Sequence, residues 1–353
     1  MPSSTPQVTP SLPTAAQAAV VDRLRRPLHD LRISVTDRCN FRCTYCMPAE
    51  IYGERYHFLP KSAVLSYEEI ARLARIFVKL GVKKIRLTGG EPLVRSSVEE
   101  LVALLAGIEG VEDLAMTTNG YLLAEKAQAL KEAGLKRITV SLDSLDDEIF
   151  GKMNGRGYGV KRVLEGIAAA DAAGLRPIKI DAVVQRGVND QSIADLARRF
   201  KGTGHIVRFI EFMDVGTINK WKPEMVVPSA EVIGRISAVW PVEPAEPNYY
   251  GEVAERWRYK DGSGEIGVIS SVTQPFCATC TRARLSPQGE LFTCLFGTKG
   301  KDLREPLRSG AADADIEKMV SGVWKNREDR YSEIRASLDK PAGKKIEMYQ
   351  IGG

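Results

Sequence analysis

The run Cys39-Asn40-Phe41-Arg42-Cys43-Thr44-Tyr45-Cys46 places three thiols on one short segment in the spacing C-x3-C-x2-C. Three thiolates can hold three irons of a cubane iron–sulfur cluster and leave the fourth iron open, whereas an electron-transfer cluster is closed by four cysteines. An open iron can bind a small molecule, and the ring of Tyr45 beside it can face a nucleobase. A zinc site is the alternative, but structural zinc usually takes four ligands from C-x2-C pairs. The spacing therefore favours an open iron–sulfur cluster.

Strand and helix patterns alternate around this loop. The predicted strands are 31–35, 84–87, 113–117, 137–142, 178–184 and 206–212, and the predicted helices are 68–80, 98–106, 124–133, 160–172 and 193–200. Apolar residues recur at helical spacing in the first helix, and glycines mark several helix ends. Six successive βα units predict a parallel sheet with right-handed crossovers, and they are too few to close an eight-stranded barrel.

Polar and glycine-rich residues follow the predicted strands, at the end of the sheet where α/β folds place their chemistry. The second strand leads into Gly89-Gly90-Glu91-Pro92, whose glycines allow a ligand to approach the backbone closely. Other strands end near Thr117, Ser141 and Met213. Each has an ordinary alternative, namely a tight turn, a helix cap or core packing. Their shared position makes them candidate site residues.

A second cysteine group lies near the C-terminus, where Cys277-Ala278-Thr279-Cys280 is followed by Cys294. Zinc is a stronger competitor here, but a carboxylate or water would have to complete it, since no histidine follows His205. A second open cluster on three cysteines is favoured. Alternation in Thr281-Arg282-Ala283-Arg284 predicts a strand with both guanidiniums on one face. We expect them to bind an anion, with solvated surface arginines as the alternative.

Composition limits the remaining classes of function. The 353 residues are 44% hydrophobic and 27% charged, which is ordinary for a globular protein, and no apolar run is long enough to span a membrane. The net charge of +5 comes without a basic run interleaved with aromatics, so nucleic-acid binding is not expected. The three histidines, His29, His57 and His205, are expected to be structural or solvated.

The pattern of cysteines and the composition of the N-terminal residues indicate the cellular compartment. Six cysteines in two tight groups suit metal binding in a reducing cytoplasm better than a disulfide framework. The first 21 residues are uncharged and rich in Ser, Pro, Thr and Ala, unlike a targeting signal. We therefore expect residues 1–28 to be a disordered extension.

Together these motifs resemble the radical S-adenosylmethionine (radical SAM) superfamily and, within it, the GTP 3′,8-cyclase family, which begins molybdenum cofactor biosynthesis. The resemblance rests on Asp30-Leu31-Arg32-Ile33-Ser34-Val35-Thr36-Asp37-Arg38, on Phe209-Ile210-Glu211-Phe212-Met213-Asp214-Val215-Gly216, on the C-x2-C-x13-C group and on the terminal Gly352-Gly353. It implies an α/β fold, an incomplete (βα)6 TIM-like barrel over residues 29–218. A C-terminal α+β region over 219–353 would close its open side and carry the second cluster and the Gly-Gly tail.

The resemblance also implies site residues by position. Two [4Fe-4S] clusters would be held by Cys39, Cys43 and Cys46 and by Cys277, Cys280 and Cys294. S-adenosyl-L-methionine contacts would come from Tyr45, Gly90, Ser141 and Met213, and GTP contacts from Arg32, Arg86, Thr117, Lys179, Arg282, Ala283 and Arg284. The implied reaction removes hydrogen from carbon 3′ of GTP and yields (8S)-3′,8-cyclo-7,8-dihydro-GTP, with the terminal glycines entering the active site.

The implied partners are GTP, a reductant for the clusters and a downstream cyclic pyranopterin monophosphate synthase, with no nucleic acid and no membrane. A homodimer stays open. Two other classes stay open as well, a radical SAM enzyme that modifies peptides and carries an auxiliary cluster, and an iron–sulfur electron-transfer protein. The first usually has more C-terminal cysteines, and the second would need neither the Gly-Gly-Glu-Pro segment nor the arginines.

Overall fold

In the computed structural model, which describes residues 19–335 and 345–352, the strands join into one mixed sheet. The strands are β1 (Asp30–Ser34), β2 (Lys84–Thr88), β3 (Asp113–Thr118), β4 (Arg137–Ser141), β5 (Lys179–Val184), β6 (Ile206–Glu211), β7 (Val242–Ala245), β8 (Glu255–Tyr259), β9 (Glu265–Ile269), β10 (Arg282–Leu285), β11 (Glu290–Phe292) and β12 (Lys301–Asp302). The helices are α1 (Tyr67–Lys79), α2 (Val98–Ala106), α3 (Leu123–Glu132), α4 (Asp147–Asn154), α5 (Lys161–Ala172), α6 (Ile193–Phe200), α7 (Ser229–Ser237), α8 (Arg304–Arg308), α9 (Asp313–Lys325), α10 (Tyr331–Ile334) and α11 (Met348–Ile351).

The sheet has a parallel core that stays open among the described residues. Its order is β12-β11-β10-β1-β2-β3-β4-β5-β6-β9-β8-β7, and β1 to β6 are parallel neighbours in chain order. On one edge β9 adds to β6, and on the other β10 adds to β1, both in parallel. Because β9 and β10 follow one another in the chain, residues 270–281 connect the two edges across the open side. The partial barrel predicted from the sequence is confirmed.

Burial along the strands explains which faces carry polar residues. β2, β3 and β4 are nearly continuous buried runs, as parallel strands covered on both faces require. In β5 and β6 every second residue is buried and the residues between are half-buried. The half-buried set includes Lys179, Asp181 and Arg208, which the two-residue period of a strand places on one face.

Local signals fix the helix starts. α1 begins with a capping box, in which Ser66 Oγ accepts from the Glu69 N–H at 3.1 Å and Glu69 Oε2 accepts from the Ser66 N–H at 2.7 Å. α4 was not predicted, although Asp146 caps it by accepting from two backbone N–H groups at 2.9 Å. The six predicted core strands and the five predicted helices are all present, with ends shifted by at most two residues.

Residues 20–28, which were predicted to belong to a disordered extension over residues 1–28, have defined contacts in the structure. Residues 1–18 lie outside the described part, but residues 20–28 pack onto the sheet. The N–H of Val20 donates to the carbonyl of Leu80 at 3.0 Å, and that of Leu28 donates to the carbonyl of Val20 at 2.9 Å. Arg26 and Leu28 are completely buried. The apolar Leu28 and the ion pair between Asp22 and Arg26 give this turn enough contacts to be ordered.

The sheet is continuous across residue 218, and the domain boundary predicted there stays a prediction. Of the helices in the described ranges, none has the length and apolar character needed to cross a membrane.

Candidate active site

The first cysteine loop, residues 39–46, follows β1 at the carboxyl end of the parallel core. Its three thiols are half-buried. The N–H of Cys46 donates to the carbonyl of Cys43 at 3.0 Å, and the N–H of Phe41 donates to Cys39 Sγ at 3.4 Å. Burial raises the pKa of Cys39 to about 12 and raises that of Cys43 as well. These thiols therefore stay protonated until a metal displaces the proton.

Tyr45 ties this loop to the ends of β4 and β5. Its hydroxyl donates to Asp143 Oδ2 at 2.8 Å, and Asp143 Oδ1 accepts from the N–H of Val183 at 2.9 Å. Burial raises the pKa of Asp143 to about 6, against the effect of these hydrogen bonds. The contact fixes the ring of Tyr45 next to Cys46 in the loop.

The glycine loop after β2, residues 89–91, packs against the segment that enters the cysteine loop. The N–H of Glu91 donates to the carbonyl of Arg38 at 2.8 Å. A Cβ on Gly90 would overlap the backbone of Arg38, so only glycine permits this approach. The buried Glu91 carboxylate accepts from Thr118 Oγ1 at 2.7 Å, and burial raises its pKa to about 7. The glycines thus serve chain packing, a reason that the sequence alone did not indicate.

Two cysteines of the second group, Cys277 and Cys280, lie on the segment that crosses the open side of the sheet. Cys277 begins a short turn, and Cys294 follows β11. Cys280 Sγ accepts from Arg282 Nη2 and from Arg327 Nη2, each at 3.2 Å. Burial opposes ionisation of Cys280, but these guanidiniums lower its pKa to about 6, whereas burial raises the pKa of Cys294 to about 11. Cys280 is the thiol best prepared to bind metal as a thiolate.

Each group supplies three thiols to one place in the fold. Within the described ranges, no three Cys, His, Asp or Glu side chains converge closely enough to hold one metal ion. Since each group offers three buried or half-buried thiols, one iron of each cluster would remain for a non-protein ligand.

A cavity on the inner face of the sheet reaches the second cysteine group. The cavity opens to solvent, and the space up to its mouth, solvent included, is about 1330 Å³. Nine cationic residues line it, namely Arg26, Arg32, Lys84, Arg86, Lys179, Arg208, Arg282, Arg284 and Arg327, against the four carboxylates of Asp30, Asp181, Glu252 and Asp329. The excess of positive charge favours an anionic ligand.

Three of these arginines form a row across neighbouring strands. The register places Arg32 of β1 opposite Arg284 of β10 on one side and opposite Arg86 of β2 on the other. Adjacent strands lie only about 4.8 Å apart. Burial and the charges of Arg284, Arg282 and Arg86 hold the pKa of Arg32 well below its usual value. Burial also lowers the pKa of Arg86 and of Arg284 to about 10. An anion bound along the row would relieve this repulsion.

Polar partners orient the other side of the cavity. Arg86 Nη1 donates to Thr117 Oγ1 at 3.0 Å. Arg208 is paired with Asp181 through two hydrogen bonds of 2.7 Å. Among the residues that the structure describes, no carboxylate forms a salt bridge with Lys179, and burial together with nearby guanidiniums lowers its pKa to about 7, against the charge of Glu252. Lys179 is therefore a cation that a bound anion would restore to full charge.

The C-terminal segment runs from the first cysteine loop to the arginine row. Tyr349 of α11 packs with Met47 against Cys39 and Cys46. Arg284 Nη1 donates to the carbonyl of Ile351 at 3.3 Å and also to that of Gly352. Gly352 has a φ of +67°, and a Cβ there would overlap Thr88. Gly352 thus lies beside a cavity arginine, whereas Gly353 falls outside the described residues.

The cavity brings together most of the predicted contacts. Arg32, Arg86, Thr117, Lys179, Met213, Arg282 and Arg284 line it together with Cys277, Cys280 and Cys294. Ala283 is not brought there, because strand alternation turns its side chain into the hydrophobic core and leaves only its backbone available. Tyr45, Gly90 and Ser141 do not line this cavity, and their assignment to S-adenosylmethionine stays a prediction.

Sequence reasoning missed Arg26, Lys84, Arg208 and Arg327. Lys84 shares a strand face with Arg86, and Arg208 occupies a cavity-facing position of β6, so alternation could have indicated both. Arg26 and Arg327 come from segments whose local sequence carries no such pattern.

Comparison with known proteins identifies the superfamily to which the chain belongs. The sequence profile of the radical SAM superfamily matches residues 33–200, and that of Molybdenum Cofactor Synthesis C matches residues 205–333. The structure of Streptococcus suis SuiB bound to S-adenosylmethionine shares the fold, with a TM-score of 0.60 and 16% identity over 90% of this chain and 69% of that chain. Fold, profile and cysteine loop together define a radical SAM enzyme.

More similar relatives narrow the class. The chain is 52% identical to the GTP 3′,8-cyclase of Acidothermus cellulolyticus, over 94% of this chain and 98% of that protein. It is 49% identical to the GTP 3′,8-cyclase of Staphylococcus carnosus, over 95% and 99%. The chain belongs to the GTP 3′,8-cyclase family. It is a radical SAM enzyme of molybdenum cofactor biosynthesis, a family that uses iron–sulfur clusters and S-adenosylmethionine.

Proposed function

We propose that this enzyme converts GTP to (8S)-3′,8-cyclo-7,8-dihydro-GTP, with the triphosphate on the row of Arg284, Arg32 and Arg86. The row itself is the observation that carries the proposal, since the register places half-buried Arg32 between buried Arg86 and buried Arg284. Burial and the neighbouring positive charges hold the pKa of Arg32 well below its usual value. A triphosphate presents adjacent anionic groups that match such a row. Each charge-assisted hydrogen bond would contribute about 1.5–3 kcal/mol.

The base would lie toward the second cysteine group. Cys277, Cys280 and Cys294 line the same cavity as the arginine row, and the open iron of a [4Fe-4S] cluster on them would bind guanine. Arg282 lies over the ring of Phe276 at 4.8 Å and donates to Cys280, so its guanidinium is fixed between the two regions.

The first cysteine group would hold the other [4Fe-4S] cluster and S-adenosyl-L-methionine, which supply radical chemistry when bound. The chain would position that cofactor with Tyr45, Gly90, Ser141 and Met213. Of these, Met213 lines the cavity and Tyr45 is fixed by Asp143. Cys39 and Cys46 pack against the buried cluster of Met47, Tyr52 and Tyr349, which would keep water from this end of the site.

The same chemistry indicates which partners and which cellular compartment the enzyme would need. A reductant must supply electrons to the clusters, and a cyclic pyranopterin monophosphate synthase would consume the product. Free thiols at all six cysteines suit a reducing cytoplasm.

The test is anaerobic reconstitution of the full chain with iron and sulfide, followed by turnover with S-adenosylmethionine, dithionite and GTP. We expect a cyclised product of unchanged mass relative to GTP, separable by chromatography, and no product from ATP. Cleavage of S-adenosylmethionine with GTP recovered unchanged would contradict the proposal.

A further inference from the structure

We infer that Arg26 and Arg327 donate hydrogen bonds to the second cluster and raise its reduction potential. The two residues come from opposite ends of the chain, and both donate hydrogen bonds to the turn formed by residues 277–280. The inference rests on the proposed function in one respect, since it requires Cys277, Cys280 and Cys294 to hold an iron–sulfur cluster.

Arg327 is fixed directly on a cluster ligand. Its Nη1 donates to the carbonyl of Cys280 at 2.7 Å, and its Nη2 donates to Cys280 Sγ at 3.2 Å. The ring of Trp324 lies under the guanidinium at 4.5 Å, and Asp329 accepts from Nε at 3.3 Å. With 4% of its surface exposed, Arg327 has no room to turn away from the sulfur.

Arg26 reaches the same turn from the N-terminal segment. Its Nη1 donates to the carbonyls of Cys277 and Asp329, both at 2.8 Å, and its Nε donates to Asp22 Oδ2 at 2.6 Å. The residue is completely buried and lines the cavity. Within the described part of the chain, its Nη2 is buried and has no hydrogen-bond partner.

The unpaired Nη2 points to an acceptor that arrives with the cofactor. A buried N–H without an acceptor is unfavourable, so native proteins rarely leave one. Because the other nitrogens of Arg26 are bonded at Cys277 and Asp22, the guanidinium is held beside the cluster loop. A sulfide or thiolate of the bound cluster is an acceptor that such a position would meet.

These donors would act on the electronic state of the cluster. Reduction adds negative charge to the iron–sulfur unit, and N–H groups directed at its sulfurs stabilise that added charge. Asp22 pairs with Arg26 and lies 3.5 Å from Arg327 Nη1, which fixes both guanidiniums relative to each other. Arg26 and Arg327 are positioning residues that tune the cluster and need not touch the reacting carbon.

The test is a potentiometric titration, followed by electron paramagnetic resonance, of the reconstituted full chain and of Arg26→Lys and Arg327→Lys. Lysine keeps the positive charge but lacks the planar guanidinium fork that directs separate N–H donors at the carbonyl and at the sulfur. The step that disappears when Cys277, Cys280 and Cys294 are changed to Ser is assigned to the second cluster. We expect the reduction potential of that step to become more negative by about 59 mV in each variant, which corresponds to a tenfold change in the equilibrium constant for one-electron reduction.

Arg23→Lys is the matched control, because Arg23 lies on the same N-terminal turn, has 55% of its side chain exposed and pairs with Glu328. It should leave both steps in place, and the first cluster should not move in any variant. An unmoved second step at full iron content would overturn the inference. Loss of second-site iron, with the remaining clusters at the parental potential, would also overturn it and leave a structural role. A parent without a second step would instead overturn the proposed function.

Discussion

At the scale of single residues, the most informative feature is the row of Arg284, Arg32 and Arg86. Burial and the like charges of Arg284, Arg282 and Arg86 hold the pKa of Arg32 well below its usual value, while Asp30 acts in the opposite direction. A protein that keeps such an arrangement gains most when a polyanion binds to it.

We predict that Arg282→Ala and Arg284→Ala each weaken GTP binding about tenfold, which corresponds to about 1.4 kcal/mol. Each change removes one charge-assisted donor from the cavity. Isothermal calorimetry measures the affinity, and iron content should stay near the parental value. Arg198→Ala is the control, since Arg198 is 63% exposed on α6 and pairs with Asp195. Unchanged affinity in the double variant would remove these arginines from the site.

Lys179 gives the site a pH dependence. Burial and nearby guanidiniums lower its pKa to about 7 in the free protein, and a triphosphate would raise it again. Above pH 7 the free lysine is mostly neutral, so binding must take up a proton and affinity should fall as pH rises. Calorimetry at pH 8.5 in two buffers of different ionisation enthalpy measures this uptake. When Lys179→Met binds GTP, the number of protons taken up should be smaller than for the parent, by at most about one. Equal proton uptake by the two proteins would contradict the assignment of Lys179 to the GTP site.

At the scale of elements, sequence patterns predicted what is local. Alternation in β10 placed Arg282 and Arg284 on one face, and six βα units gave the parallel core. The pairing of β9 with β6 and of β10 with β1 joins distant segments, which no local period encodes. For the same reason Arg26 was assigned to a disordered extension, because its partners at Cys277 and Asp329 are far away in sequence.

The segment between β9 and β10 should separate the two cysteine groups by function. Changing Cys277, Cys280 and Cys294 to Ser removes the ligands at the open side but leaves the first loop after β1 intact. We expect cleavage of S-adenosylmethionine to stay detectable and cyclisation of GTP to disappear. Chromatography of both products from one anaerobic reaction makes the measurement. Cyclised product at near-parental rate would refute a substrate-binding role for this group.

The C-terminal segment should be needed for turnover. In Gly352→Ala, the positive φ is a sparsely populated backbone conformation for alanine that costs about 1–3 kcal/mol. The new Cβ also overlaps Thr88, which displaces the carbonyls from Arg284. We predict loss of GTP cyclisation with normal iron content and circular dichroism. Gly310→Ala is the matched control, since Gly310 also has a positive φ of 86° but open space around it. Full cyclisation activity in Gly352→Ala would show that the C-terminal segment is not needed for turnover.

At the scale of the whole molecule, one open sheet collects remote parts of the chain around one cavity. The N-terminal turn provides Arg26, the crossing segment provides Cys277 and Cys280, and the C-terminal segment reaches Arg284 through Gly352. The parallel core supplies Arg32 and Arg86 of the row, β10 adds Arg284, and the first cysteine loop follows the carboxyl end of β1. The site therefore exists only in the complete fold, which is why sequence patterns located its parts but not their meeting.

The most direct test of this account is turnover of GTP deuterated at carbon 3′ by the anaerobically reconstituted full chain. Mass spectrometry of the 5′-deoxyadenosine released then reports which hydrogen was taken. We expect the 5′-deoxyadenosine to gain the deuterium and the nucleotide to appear as the cyclised triphosphate without it. Unlabelled 5′-deoxyadenosine together with GTP that keeps its deuterium would contradict the central claim that the cavity presents carbon 3′ of GTP for reaction.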